Sequence, residues 1–296
     1  MATETLTSQN ASVTWDISGK TVVITGASDG IGAAAARQLA AKGAKLALVG
    51  RSADKLARVA ADVRAAGGTD PLTFAADFTS LDEVRKLATD LQQQLPEIHV
   101  LANNAGGIWP HREVTPDAHE QTFQVNHLAP FLLTALLRDR LAASAPSRVI
   151  TTSSDAHRGA SFDINDLDFS TRRYSEFRVY GTSKLENILF TRELARRLEG
   201  TGILATCFHP GTVATGFGRD SWFSWFTTKY PVKAFFKTAD QGADTLVWLA
   251  TAPAETITAG EFYANRKLGK RTTAARDDAA AGELWTKSAE LVGMPV

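Results

Sequence analysis

The chain has 296 residues, 44% apolar and 22% charged, with 32 basic side chains set against 32 acidic ones. That size fits one large globular domain or two small ones, and the balanced charge supplies no field to recruit nucleic acid or an anionic membrane. The single Cys207 excludes an intramolecular disulfide and a cysteine-based zinc site, and it suits a reducing compartment. The opening MATETLTSQNAS is polar, with no basic segment leading into an apolar one, and no run approaches ~18 uninterrupted apolar residues. A soluble, cytoplasmic protein without a spanning segment is expected.

After a loose tail over residues 1–18, short apolar runs alternate with helix-favouring ones. Strands are expected at Lys20–Thr25, Lys45–Val49, Leu72–Ala76, Ile98–Ala102, Arg148–Thr152, Ile203–Phe208 and Glu261–Tyr263. Helices are expected at Gly30–Lys42, Ala53–Ala66, Leu81–Leu95, Gln121–Ala142, Val179–Leu198, Ala239–Ala250 and Ala281–Leu291. Strands of about five residues alternating with helices imply parallel βαβ units, with crossover helices on both faces of the sheet. No composition shift marks a linker. Residues 19–296 are expected to form one doubly wound α/β domain.

Between the first strand and the first helix stands TGASDGIG, Thr25–Gly32. Gly26 permits a tight turn, Gly30 lets backbone approach a phosphate, and Gly32 lets the helix pack closely on the strand. The helix N-terminus then offers free N–H donors to a pyrophosphate. Three glycines near a turn also suit a purely structural bend, but their place in a βα series makes a dinucleotide site the better reading. The second strand ends in VGRS. Arg51 stands where an NAD-preferring site carries an acidic ribose ligand, and an arginine suits the 2′-phosphate of NADP(H). Asp77 follows the third strand, where it accepts from an adenine amine or caps a turn. NNAG, Asn103–Gly106, follows the fourth, at the strand ends where ligands gather.

YGTSK sets Tyr180 and Lys184 four residues apart on one helix face. An unperturbed phenol titrates near 10, and a nearby ammonium favours its phenolate. Ser153 and Ser154 end the fifth strand, and Asn126 lies inside the long helix before it. Each has an ordinary reading as a cap or a polar helix position.

In this order and on these elements, TGASDGIG, Asp77, NNAG, VNHLAPF, TTSSDAH, YGTSK and HPGTVAT resemble the short-chain dehydrogenase/reductase family over roughly residues 19–263. The resemblance implies a single-domain Rossmann fold and a Tyr180 general acid/base. It implies that Ser154 holds the substrate oxygen, that Lys184 binds nicotinamide ribose and lowers the Tyr180 pKa, and that Asn126 anchors a water in the proton relay. Cofactor contacts follow at Gly26, Ser28, Asp29, Gly30, Ile31, Arg51, Asp77, Phe78, Asn104, Ala105, Gly106, Pro210, Gly211, Val213 and Thr215, besides Tyr180 and Lys184. NADP(H) is expected over NAD(H), and no metal. Ser154 and Tyr180 lie 26 residues apart, longer than is usual in the family, and with DINDLDF and HPGTV this is similar to the retinol-dehydrogenase-like branch. The helices Gln121–Ala142 and Val179–Leu198 could pair two copies in a homodimer. A protochlorophyllide-type C=C reductase and a non-catalytic NADP(H) sensor are the rival readings.

DSWFSWFTTKYPVKAFF, Asp220–Phe236, is aromatic at seven of seventeen positions. It follows neither period 2 nor a clean helical stripe. Over residues 213–238 it is expected to form a lid, with Trp222, Trp225 and Phe226 against a bulky apolar carbonyl or alcohol. A membrane-surface contact is the alternative.

Overall fold

Thr21–Thr25, five β-branched residues in succession, form β1, and all five are buried, as a strand covered on both faces requires. The computed structural model describes residues 15–213 and 236–295. Around β1 the sheet contains β2 (Lys45–Gly50), β3 (Leu72–Ala75), β4 (Val100–Asn103), β5 (Ser147–Thr152), β6 (Ile203–His209), β7 (Phe262–Ala264) and β8 (Lys267–Leu268). Their order is β3-β2-β1-β4-β5-β6-β7-β8, parallel except for the final β7–β8 pair. The strand order therefore reverses between β1 and β4, the crevice where a doubly wound sheet binds its ligand.

The helices are α1 (Gly30–Ala40), α2 (Ala53–Ala65), α3 (Leu81–Gln94), α4 (Gln121–Phe123), α5 (Ala129–Ala143), α6 (Glu176–Arg197), α7 (Ala239–Thr251) and α8 (Asp278–Leu291). One face of the sheet packs with α1, α2 and α7, the other with α3, α5, α6 and α8. The single α/β domain with a mostly parallel sheet matches the sequence expectation, and element ends moved by a few residues. No described helix is long and apolar enough to cross a membrane.

Three features depart from the expectation. The helix expected over Gln121–Ala142 is interrupted by a π-helical turn, Gln124–Leu128, between α4 and α5. The strand β8 was absent from the expected set: a two-residue strand with two exposed side chains shows no hydrophobic period. The tail expected over 1–18 packs at its inner end, where Ile17 is buried and Trp15 Nε1 donates to Ala250 O at 2.8 Å. The Arg148 guanidinium stacks 3.9 Å over that indole.

Part of the face that the long helices were expected to offer a second copy carries α8. Trp285 lies 4.9 Å from the Phe131 ring and stacks on Phe190 at 6.0 Å, under the Arg197 guanidinium.

Candidate active site

The glycine turn behaves as its spacing predicts. Gly26 and Gly30 have φ of +66° and +52°, a region that side chains resist. A Cβ on Gly32 would lie 2.2 Å from Gly26 O, so α1 reaches the turn only because that carbon is missing. Asp29 caps α1 by accepting from Gly30 N at 2.7 Å, and it lies 3.7 Å from Lys55 Nζ. Thr25 Oγ1 accepts from both Asn104 N and Ala105 N, and Asn104 Nδ2 donates to Thr25 O. These bonds tie the end of β1 to the end of β4 and hold open the crevice between them.

A cavity of about 520 Å³ occupies that crevice. At one end are Ser28, Arg51, Lys55, Asp77 and Phe78; in the middle Gly30, Ile31, Ala105 and Gly106; at the other Tyr180, Lys184, Pro210, Gly211 and Val213. It thus gathers all the described residues expected at the cofactor. Asp77 also caps its own turn, accepting from Thr79 N at 3.0 Å. Thr215, Trp222, Trp225 and Phe226 lie outside the described residues.

Ser153 and Ser154 separate cleanly. The Ser153 hydroxyl is buried and donates to Lys184 O at 2.7 Å, which leaves it a structural role. Ser154 is the partly exposed one; it accepts from Ala156 N at 3.2 Å and its side chain is hydrogen-bonded to Tyr180. Lys184 Nζ lies 5.3 Å from the Tyr180 ring centre and donates to Thr152 O at 3.3 Å. Asn126, wholly buried, accepts from Gly107 N at 2.8 Å and donates to Gly107 O at 2.9 Å and Ser183 Oγ at 3.0 Å. Its amide therefore clamps the backbone just past NNAG onto the π turn.

Burial rather than charge pairing governs the ionisable pair. The Tyr180 phenol is pushed up to about 12, with the Ser154 hydrogen bond pulling the other way. Burial drives the Lys184 ammonium down to about 7. In the protein alone, burial and not Lys184 sets the direction of the Tyr180 shift. Both groups lose hydration, and at this separation desolvation outweighs their mutual attraction.

Several cavity residues had no place in the sequence reading. Lys55 sits one helical turn beyond Arg51, and a second cation four residues on was a usable signal. Ile108, Trp109 and Pro110 line the cavity beyond Gly107. The Trp109 ring covers Gly107 so closely that a Cβ there would stand 2.4 Å from it, and Tyr174 Oη donates to Trp109 O at 2.9 Å. Tyr174 belongs to the lengthened segment between Ser154 and Tyr180. That segment is no loose loop. Asp166, 4% exposed, accepts from Ser170, Thr171 and Arg172, and these donors hold its carboxyl well below the usual range against the burial that pushes it up. Asp168 then accepts from Glu120 N at 2.8 Å, bolting the segment to the loop that bears Trp109.

The sequence profile described as short chain dehydrogenase matches residues 20–222. A Streptomyces sp. (strain C5) protein assigned as a daunorubicin C-13 ketoreductase, DnrU, is 45% identical over 275 residues, 93% of each chain. The chain belongs to the short-chain dehydrogenase family. Retinol dehydrogenase 13 of Homo sapiens is 38% identical over 285 residues, 94% of this dehydrogenase and 86% of its own length. Among solved structures, a Mycobacterium paratuberculosis protein aligns with a TM-score of 0.77 at 31% identity, over 96% of this chain and 98% of its own. A short chain dehydrogenase from Burkholderia cenocepacia J2315 in complex with NADP aligns at 0.67 and 25% identity, over 83% and 96%. This dehydrogenase is therefore an NAD(P)-dependent oxidoreductase of CH–OH and C=O groups, in the retinol-dehydrogenase-like branch. The glycine cradle, where a Cβ at Gly32 cannot fit, and the cations at one end of the cavity suit a dinucleotide.

The rival readings are not favoured. Cys207 lies inside β6, wholly buried, its thiol pushed up to about 12, and it cannot supply a second proton to a ring double bond. A non-catalytic sensor needs only the glycine turn, whereas this chain also sets Ser154 on Tyr180 beside Lys184 and matches enzymatic relatives.

Proposed function

We propose that this dehydrogenase is NADP(H)-preferring and reduces a bulky apolar ketone or aldehyde, of retinoid, steroid or xenobiotic type, with Tyr180 as general acid. One observation carries the reading: Tyr180 and Lys184 line one end of the cavity whose far end holds Arg51 and Lys55, and the Ser154 side chain is hydrogen-bonded to Tyr180 from outside that lining. The nicotinamide supplies the hydride, and takes it back in alcohol oxidation. Ser154 and Tyr180 hydrogen-bond the carbonyl oxygen as negative charge develops on it. A phenol pushed up to about 12 keeps its proton near neutrality, the form that protonates an alkoxide oxygen in the reduction direction. Lys184, buried beneath the tyrosine, orients the ribose and follows the phenol's charge. Asn126 holds the turn at Gly107 and anchors the water that resupplies the proton.

Arg51 and Lys55 provide the cofactor preference, since two cations complement a 2′-phosphate. Arg51→Asp should shift the ratio of kcat/KM for NADPH over NADH by roughly 10- to 100-fold towards NADH, the worth of a charge-assisted hydrogen bond. An unchanged ratio returns Arg51 to an ordinary surface role.

The daunorubicin ketoreductase and retinol dehydrogenase relatives bear names of large conjugated substrates, and Trp109 offers a flat apolar wall of matching kind. The test follows NADPH absorbance against retinal, polycyclic ketones and small aldehydes. Turnover with none of them overturns the reading. Trp109→Ala should raise KM about tenfold for the large carbonyls and leave small aldehydes unaffected, because only large rings reach the indole. Equal losses on both would remove Trp109 from the substrate wall. The aromatic residues of the stretch 220–236 are proposed as further substrate contacts, and Trp225→Ala is read out in the same assay.

A further inference from the structure

We propose that His127 is a positioning residue for Asn126, held by Ser288 of the C-terminal helix, so that α8 fixes the register of the π turn beneath the active site. The inference rests on the reading of Asn126 as part of the proton-transfer machinery.

In the π turn Ala129 N bonds to Gln124 O, five residues back. One residue more than an α turn rotates the side chains on either side by about 100° relative to each other. Such turns are less stable than α turns and need partners outside the helix to persist. The described contacts supply three. Gln124 accepts from Thr115 Oγ1 at 2.5 Å and donates to Asp117 Oδ2 at 2.8 Å, which pins the N-terminal end. Asn126 grips Gly107 and Ser183 in the middle. His127 Nε2 meets Ser288 Oγ at 2.8 Å at the C-terminal end, with both residues at most 1% exposed.

The His127 ring has no freedom to swing away. It stacks on Phe123 at 5.6 Å and stands edge-on to Phe190 at 6.1 Å. Burial lowers its pKa to about 4, with the Asn187 amide opposing, so the imidazole is neutral and the link does not titrate through neutrality. Rewinding this turn to α geometry cannot keep both Asn126 on Gly107 and His127 on Ser288. The bond to α8 therefore selects the register that puts the Asn126 amide on the cofactor-side backbone. α8 is itself fixed by Trp285 on Phe131 and Phe190, and by Arg85 bonding to Val292 O. A helix remote from the cavity thus reaches the site through one neutral hydrogen bond.

The test compares His127→Phe, which keeps the stacked ring and drops the bond, with Ser288→Ala, the double variant, His127→Gln and Asn126→Ala. Each is assayed on a small aldehyde at saturating NADPH, with Tm and NADPH affinity measured alongside. His127→Phe and Ser288→Ala should each lower kcat about tenfold while KM and NADPH affinity stay within about twofold, since a displaced amide costs rate rather than binding. The double variant should be no worse than His127→Phe, because both remove one interaction. His127→Gln, whose amide nitrogen can still donate to Ser288 Oγ, should recover most of the rate. A crystal structure of His127→Phe should show Ala129 N bonded to Val125 O. Wild-type kcat in both single variants beside an inactive Asn126→Ala overturns the brace and leaves the site reading standing. A fully active Asn126→Ala overturns the site reading and the brace with it. Should His127→Phe fail to fold, Ser288→Ala, the removal of one oxygen, decides alone.

Discussion

Tyr180→Phe should retain NADPH binding and lose turnover by ~10²–10⁴, the usual worth of general acid/base help. The substitution removes one oxygen and keeps the ring that fills the cavity end against Lys184. On the proposed reading, cofactor affinity resides mainly in the glycine turn and the cations at the far end of the cavity, which the change does not touch. What disappears is the phenol proton beside Ser154, which the proposal places at the carbonyl oxygen. Ser154 remains hydrogen-bonding but cannot replace it, since its Oγ also accepts from Ala156 N and an aliphatic alcohol is a far weaker acid than a phenol. The measurement is single-turnover reduction with NADPH bound beforehand, which separates chemistry from binding. A variant retaining more than about a tenth of the wild-type rate would exclude Tyr180 as the acid.

Where side chains and backbone report their own surroundings, the sequence was sufficient. Thr21–Thr25 is β-branched throughout because both faces of a central strand are covered, and Gly26, Gly30 and Gly32 mark a turn that only glycine allows. The four-residue spacing of Tyr180 and Lys184 needs nothing beyond a helix to bring them together. The π turn was not legible because Gln124, Asn126 and His127 are ordinary helix residues; what bends the helix there is bonding to Thr115, Gly107 and Ser288, distant in sequence. Trp109 was missed for a similar reason. Its place over Gly107 is set by Tyr174, which reaches it through the stapled segment around Asp166. The burial that dominates both Tyr180 and Lys184 was not legible, because a charge pair can be read from spacing whereas burial of both partners belongs to the folded surroundings.

That burial carries the second large effect. Lys184→Met should abolish turnover, yet make the cofactor-free protein more stable. An ordinary lysine titrates near 10.5, and in the folded chain burial brings Lys184 down to about 7. Between these values the unfolded chain holds a proton that the folded chain has released, so folding becomes more favourable as pH rises through this window. The cost of burying the charge is therefore full below pH ~7, shrinks between ~7 and ~10.5, and is gone above it. Methionine fills the same channel with a flexible apolar chain and never bears the charge. The gain in Tm over the wild type should be largest at or below neutral pH and close up towards pH ~10. Saturating NADPH should narrow the gap, because a wild type with Lys184 on the ribose binds it more tightly and gains more by mass action. Lys184 would then be a group the empty fold tolerates at a loss and the loaded enzyme requires, as expected where stability is given up for function. Thermal melts of both proteins from pH 6 to 10, with and without NADPH, measure this directly. A cofactor-free variant that melts below the wild type at neutral pH would show that Lys184 is held by favourable contacts, its bond to Thr152 O among them, rather than against its desolvation.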